Sequence, residues 1–405
     1  MDDSLSPQGA EPAHDIHEQE QYSALDRDVS ILDTEDLVTT EEEERISVAT
    51  QWQLTWWRFR KHKVAMVAAV IIILFYLLVI LADLLAYSDP NSSEAQRSLL
   101  PPQPIHWIDD GKFSPFVYAL EGKRDMKTFK RVYTVNRDKK IPIKFFAHGY
   151  TYHFLWLFRT DVHLIGTDED NVKTEDTIFL LGTDMLGRDL FSRLMIGTRT
   201  SMTIGLAGVF LSLILGIFLG GISGYYGGAI DNLIQRVIEI LRSIPTIPLW
   251  MGLAAALPTY WSSAQIYFSI TLIISLIGWT ELARVIRGRF LSLREEDFVM
   301  AAELVGCSQG RIIFRHMIPS FMSHIIAATT LAIPAMIISE TSLSFLGLGL
   351  RPPAISWGVL LQDAQNVQTL AISPWLMLSA IPVIIAILAF NFLGDGLRDA
   401  ADPYG

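Results

Sequence analysis

The sequence predicts an all-α membrane protein with six transmembrane helices and an α+β or irregular external insert between helices 1 and 2. Three observations lead there. Of 405 residues, 50% are hydrophobic and only 19% charged, against roughly 25% charged in a soluble globular chain. Residues 64–82 run for 19 positions without a charge, and at about 1.5 Å per residue they cross a hydrocarbon core of about 30 Å. Arginine, finally, gathers in the 284–320 connection and not in 258–264 or 346–373, as the positive-inside rule requires of short loops; the long 83–199 segment holds many Lys and Arg, but long loops translocate largely regardless of charge.

Residues 1–50 are an acidic tail. They hold 15 Asp and Glu against Arg27 and Arg45, while the other 355 residues carry 28 acids and 30 bases, so the net charge of −11 belongs to the tail. Such a segment cannot bury enough apolar surface to offset its ordering entropy, and it is expected to be disordered and cytoplasmic. It shows neither the basic n-region nor the apolar h-region of a secretory signal. Residues 51–82 are the cytoplasmic flank and first span. Arg58, Arg60, Lys61 and Lys63 precede the apolar run and Asp83 follows it, so the N-terminus is inside.

Residues 83–199 form the polar external insert. Prolines at 101, 102, 104 and 115 and the aromatics Phe145, Phe146, Tyr150, Tyr152, Phe154, Trp156 and Phe158 indicate a small folded domain with those rings in its core.

Five more spans make a helical core over 200–394. Residues 200–229 carry no charge, about 200–223 cross the bilayer, and Gly216 and Gly220 have the spacing that lets helix backbones approach. About 232–257 reads as one long helix kinked near Pro245 and Pro248. Its polar half, with Asp231, Gln235 and Glu239 on one face, meets cytoplasmic water. Residues 265–283, 321–345 and 374–394 complete the set. The cytoplasmic loop 284–320 holds six arginines, the external loops 258–264 and 346–373 hold Arg351 alone, and 395–405 is a cytoplasmic C-terminus.

Several function classes drop out. The acidic balance argues against a nucleic-acid binder. Cys307 is the one cysteine, so no intramolecular disulfide exists, and no Cys/His metal spacing surrounds it. No catalytic set stands out. Gly182 and Gly187 have the outline of a phosphate loop, but Arg188-Asp189 stands where Lys-Ser/Thr is needed, so the chain is not expected to hydrolyse ATP. Glu340 lies inside the fifth span near its external end. A carboxylate there must be paired or face a wet cavity. That leaves a pathway or gate role, a structural hydrogen bond inside the bundle, or interfacial exposure. Glu281 is expected to meet interfacial water.

Two stretches carry the chemistry. The first is Met300-Ala301-Ala302-Glu303 followed by Gly306 and, thirteen residues on, Pro319. Physically it is a helix with a small-residue face, ended by glycine, in the cytoplasmic loop. The second is Gly182-Thr183-Asp184 with Gly187-Arg188-Asp189. Thr183 or Asp184 can cap a helix whose face Leu190, Phe191, Leu194 and Met195 suits an interfacial elbow. The first stretch resembles the coupling loop of ABC-importer permeases, with Met300 where that family has Glu. The second resembles the signature of the C-type subunit of dipeptide, oligopeptide and nickel permeases, as do the segments around Glu340 and Asn391–Asp399. The resemblance implies a type I ABC-importer permease fold and a non-catalytic subunit forming half of a translocation pathway. It implies transport of peptides or peptide-like solutes across a bacterial inner membrane, with both termini cytoplasmic. The implied partners are a second permease subunit, two ATPase subunits and an external solute-binding protein. The chain itself is expected to hold no cofactor, ATP and Mg²⁺ being bound by the ATPases. The alternative is an ion-coupled secondary transporter or channel, which would need ionisable residues near the midplane or an inverted repeat.

Overall fold

In a computed structural model the chain is described over residues 50–124, 126, 131–155, 157–167, 177–258 and 260–401. The acidic tail and Trp156 lie outside the described residues. Helix α1 (Gln51–Lys61) is followed by α2 (Lys63–Leu85), the first span. A ring nitrogen of His62 caps α2 by accepting the Ala65 N–H at 3.1 Å. Ala68, Ile72 and Phe75 are buried while Ile73, Leu74, Leu77 and Ile80 are exposed. That division is what a helix with protein on one side and lipid on the other needs.

Among its described residues the insert is mainly β-structure with one short 3-10 turn (Ala95–Arg97), within the α+β or irregular unit expected. Strands β1 (His106–Asp109), β2 (Lys112–Arg124) and β3 (Arg131–Pro142) form an antiparallel sheet in that order. Strands β4 (Lys144–Phe154) and β5 (Phe158–Gly166) form a separate hairpin. Val117, Ala119, Ile141, Ile143 and Ile178 make the core. The expected aromatic core is corrected: Tyr152 is buried, but Phe145, Phe146 and Phe158 are exposed. A two-stranded hairpin has too little neighbouring surface to cover both of its faces, so part of its apolar set stays outside.

Helix α3 (Leu190–Tyr226) has 37 residues, about 55 Å of helix. It begins ten residues before the expected span because Asp189 caps it, accepting the Ser192 N–H at 2.7 Å. Gly216 and Gly220 do set a close helix contact. A Cβ at Gly220 would lie 2.5 Å from the Ala283 carbonyl oxygen and one at Gly216 2.8 Å from Leu282 Cβ.

The expected kinked third span is two helices, α4 (Gly228–Ser243) and α5 (Thr246–Ala255), bent by 84°. Ile244, forced toward extended geometry by the following Pro245, breaks the run at φ −89° and ψ 128°. Helix α6 (Ser263–Leu293) starts in a capping box between Ser262 and Gln265 and continues ten residues past the expected span, its far end held by buried Ile286 and Phe290. On α4, Asp231 takes both forks of Arg287 at 2.5 Å each, and the Ser223 hydroxyl. Gln235 donates to that hydroxyl at 3.1 Å, whereas Glu239 turns to Arg236. Glu281, expected to meet only water, is paired with Arg242.

Next come α7 (Asp297–Leu304), α8 (Met322–Phe345), α9 (Trp357–Gln362), α10 (Val367–Ile372) and α11 (Ala380–Ala401). Among the described residues five helical stretches are long and apolar enough to cross a membrane, or six if the bent α4–α5 pair counts as one span.

Candidate functional site

Helix α7 is seated on the α6–α8 connection by two side chains. Val299 is fully buried with Ile286, Phe290, Ile312, Met317 and Phe321, half-buried Ala302 packs against the same cluster, and the outer face of the helix is exposed. Met300 is 45% exposed and Leu304 89%; Ala301 and Glu303 are exposed and Ala302 half-buried. Gly306 ends the helix at φ +81°, a conformation that costs a side chain energy. The Cys307 N–H reaches the Ala302 carbonyl at 3.0 Å and the Gly306 N–H reaches Glu303 at 2.9 Å. This double bond pattern closes a helix rigidly. The Tyr225 hydroxyl donates to Glu303 at 3.0 Å and the Tyr226 hydroxyl to Gln309 at 2.8 Å, bracing the loop against the end of α3. Pro319 is exposed where the chain re-enters the bundle. The result is a short, braced helix presenting an uncovered apolar tip.

The second motif lies at the opposite end of α3, as a tight loop rather than an elbow helix. Asp184, not a helix cap, sits at its centre. Its carboxylate accepts the Leu186 N–H at 2.9 Å, the Arg188 N–H at 3.0 Å and Arg188 Nε at 2.6 Å. Thr183 accepts the Leu100 N–H at 2.8 Å. Gly187 is at φ +75°, and a Cβ there would lie 2.0 Å from the Glu94 carbonyl oxygen; at Gly182, at φ +77°, one would lie 2.5 Å from the Leu100 carbonyl oxygen. The cap is Asp189, which also accepts the Tyr87 hydroxyl at 2.9 Å. Burial pushes the Asp189 carboxyl up from 3.8 to about 6, against the lowering effect of its bonds from Ser192 and Tyr87. The Tyr87 hydroxyl, buried beside this acid, is raised well above its ordinary range. The expected elbow face is instead core: Leu190 and Leu194 are buried, and Phe191 stacks on Tyr87 at 5.5 Å.

The family described as binding-protein-dependent transport system inner membrane component matches residues 200–404, which take in the coupling-type loop and every helix from α4 on. This chain belongs to that family. A second family, described as the N-terminal TM domain of oligopeptide transport permease C, matches residues 50–102. The permease is 42% identical to the oligopeptide transport system permease protein OppC of Haemophilus influenzae over 57% of this chain and 72% of that one. It is 38% identical to OppC of Bacillus subtilis over 55% and 70%, and 40% identical to the dipeptide transport system permease protein DppC of Alkalihalophilus pseudofirmus over 55% and 71%. A structure of the MetNI methionine ABC transporter in inward-facing conformations covers 51% of this chain and 96% of its own at TM-score 0.41 and 15% identity. The family match and the sequence relatives support an importer permease and not the ion-coupled transporter or channel.

Within the permease, Glu340 has no exposure at all. It does not line an open surface of the chain. Its carboxylate accepts the hydroxyls of Ser201 at 3.0 Å and Ser344 at 2.8 Å, so it is hydrogen-bonded inside the bundle. Those hydroxyls in turn accept the backbone N–H groups of Trp357 at 3.1 Å and Leu350 at 3.0 Å. Ser201, Ser344 and Trp357 were not legible as a site, because serines in an apolar span carry no signal until a carboxylate is found opposite them.

Proposed function

We propose that this permease is one of two membrane-spanning subunits of an ATP-driven importer for peptides or peptide-like solutes. The peptide class rests on the OppC and DppC relatives. Both termini and the α7 loop face the cytoplasm. The insert and the 346–373 segment face outward, where a solute-binding protein delivers its cargo. A homologous permease completes the pathway.

The observation that carries the reading is α7. A helix seated on Val299 and Ala302, capped on Gly306 and tipped with Met300, Leu304 and Val305 is built to be covered. Its occupant is an ATPase subunit that takes the tip into a groove, in the helix-in-groove mode. Closing of the ATPase pair on ATP then pushes α7. Val299 and the cluster around Phe290 pass the displacement to α6 and α8 as a rigid-body motion. Met300 supplies an apolar contact, and Glu303, held by Tyr225, supplies the carboxylate one turn on. Catalysis of ATP hydrolysis, with its Mg²⁺, belongs to the partner. Glu340 serves the pathway as a brace, holding the external segment around Trp357 over the end of α3.

The test is co-purification with the ATPase from cells expressing the whole transporter. Ala301→Glu with Ala302→Glu is expected to abolish capture and uptake while leaving the permease in the membrane. Retained capture and uptake overturn the assignment.

A further inference from the structure

The β4–β5 hairpin ends in an apolar tip that nothing among the described residues covers. Leu155 is 45% exposed, Leu157 74% and Phe158 65%. Apolar residues clustered at this exposure mark a contact surface rather than a solvated turn. What they touch follows from where the hairpin is attached and which way it runs.

Near its base, Ile165 of β5 packs in one cluster with Tyr87, just beyond the end of α2. Two residues closer to the tip, His163 is buried with Nδ1 3.1 Å from the Asp83 carbonyl oxygen, inside the last turn of α2. Its Nε2 lies 3.0 Å from the Tyr150 carbonyl oxygen of β4, so the ring packs between the end of the span and β4, its N–H given to one of the two carbonyls. Gly149 leaves the room: a Cβ there would lie 2.7 Å from His163 Cδ2. Going toward the tip on β5 therefore means going back from Tyr87 to Asp83 on α2, about 6 Å toward the bilayer. The hairpin points at the membrane. From His163 to Phe158 is five further residues, about 16 Å of strand.

The geometry points to a membrane-interface wedge: the β4–β5 tip is immersed in the lipid leaflet beside the exit of α2. The side-chain order fits that depth. Tyr150 and Tyr152, with ring centroids 4.6 and 4.9 Å from that of His163, stand at the level of the span's end, where aromatic belts form. Arg159 pairs in register with His153, behind the apolar tip, and is exposed at headgroup level. Its long stem suits a charge that must reach back to phosphate. The leaflet is continuous with the lipid-facing residues Leu77 and Ile80 of α2. Depth is limited because a lone hairpin has unpaired N–H and C=O groups along both outer edges, which hydrocarbon does not accept. Immersion of about 5–10 Å satisfies both demands. Such a wedge fixes the insert relative to the bilayer, and it holds whichever solute the permease carries.

The test uses the full chain in nanodiscs of phosphatidylethanolamine and phosphatidylglycerol, with Cys307→Ala and an environment-sensitive fluorophore on Leu157→Cys. A second sample carries the label on Val132→Cys, exposed on β3. The Leu157 label is expected to emit blue-shifted light and to be quenched several-fold more by a nitroxide at the top of the lipid acyl chain than by aqueous iodide. The Val132 label is expected to behave in the opposite way. Iodide quenching of both labels alike overturns the proposal. A Leu157 label shielded from iodide and from lipid nitroxides also overturns it, and shows a protein contact instead.

Discussion

The Ser201 hydroxyl stands between Glu340 and Trp357: it donates to the buried carboxylate at 3.0 Å and accepts the Trp357 backbone N–H at 3.1 Å. With Ser344 and Leu350 doing the same on the other oxygen, one carboxylate ties α3, α8 and the segment around Trp357 together. Glu340→Ala removes the acceptor of two buried hydroxyls and leaves a void, at a cost of about 3 kcal/mol. Glu340→Gln keeps one acceptor and is expected to lose about half of that. Thermal unfolding in detergent measures both. Trp357 emission should shift red in the alanine variant first, since its Nε1 bond to Thr198 at 3.1 Å depends on the same alignment.

Asp189 makes the signature loop sensitive to pH in a defined direction. Its carboxyl is raised from 3.8 to about 6 in the folded chain. Between about pH 4 and 6 the folded state therefore holds a proton that the unfolded state has released, so this group's contribution to stability falls as pH rises through that window and is level above it. Asp189→Asn removes that slope. It also loses a hydrogen bond, because one amide oxygen cannot accept both the Ser192 N–H and the Tyr87 hydroxyl, at about 1–2 kcal/mol. Melting temperatures of both proteins across this range check the sign; a wild-type curve that rises from pH 4 to 6 relative to the variant refutes it.

Much of this was legible in sequence because it rests on local pattern. The 64–82 run gave α2, and Gly216 and Gly220 pointed to a close helix contact before Leu282 and Ala283 were known to be the partners. The glycine at 306 ended α7 as its backbone requires. What pattern could not reach was pairing over distance. Asp231 and Arg287 are 56 positions apart, and Ser201 and Glu340 are 139 apart. Glu281 looked like a residue at the water interface because Arg242 belonged to a different helix. The strand positions within the insert escaped because its strands alternate poorly: β3 shows one buried residue among twelve. Asp189 took the capping role expected of Thr183 or Asp184, since those two are committed to the loop itself.

The contact between α3 and α6 is backbone-close at Gly220, and so intolerant of any side chain. A Cβ placed 2.5 Å from the Ala283 carbonyl oxygen must push the helices apart. Gly220→Ala is expected to destabilise by about 1–3 kcal/mol despite its better helix propensity. Gly221→Ala is the matched control, because its Cβ would meet only the Phe290 ring at 3.5 Å. Equal melting temperatures for the two variants would show that the contact yields.

Gly306 separates conformational strain from steric clash at the end of α7, the helix proposed to couple to the ATPase. It sits at φ +81°, and a Cβ added there would have no neighbour within 4 Å, so alanine meets only a backbone penalty. That penalty is about 1 kcal/mol. The fold, held by Val299 and Phe290, should survive it with a melting temperature close to wild type. The two bonds that close α7, from Cys307 to Ala302 and from Gly306 to Glu303, should loosen. Solute-stimulated ATPase activity of the assembled transporter is then expected to fall more than basal ATPase activity, because a frayed α7 still docks yet transmits less of the push. Gly306→Asn, which tolerates a left-handed backbone better, should restore part of the stimulation. Equal loss in both variants would mean that the position matters for contact and not for the shape of the helix end.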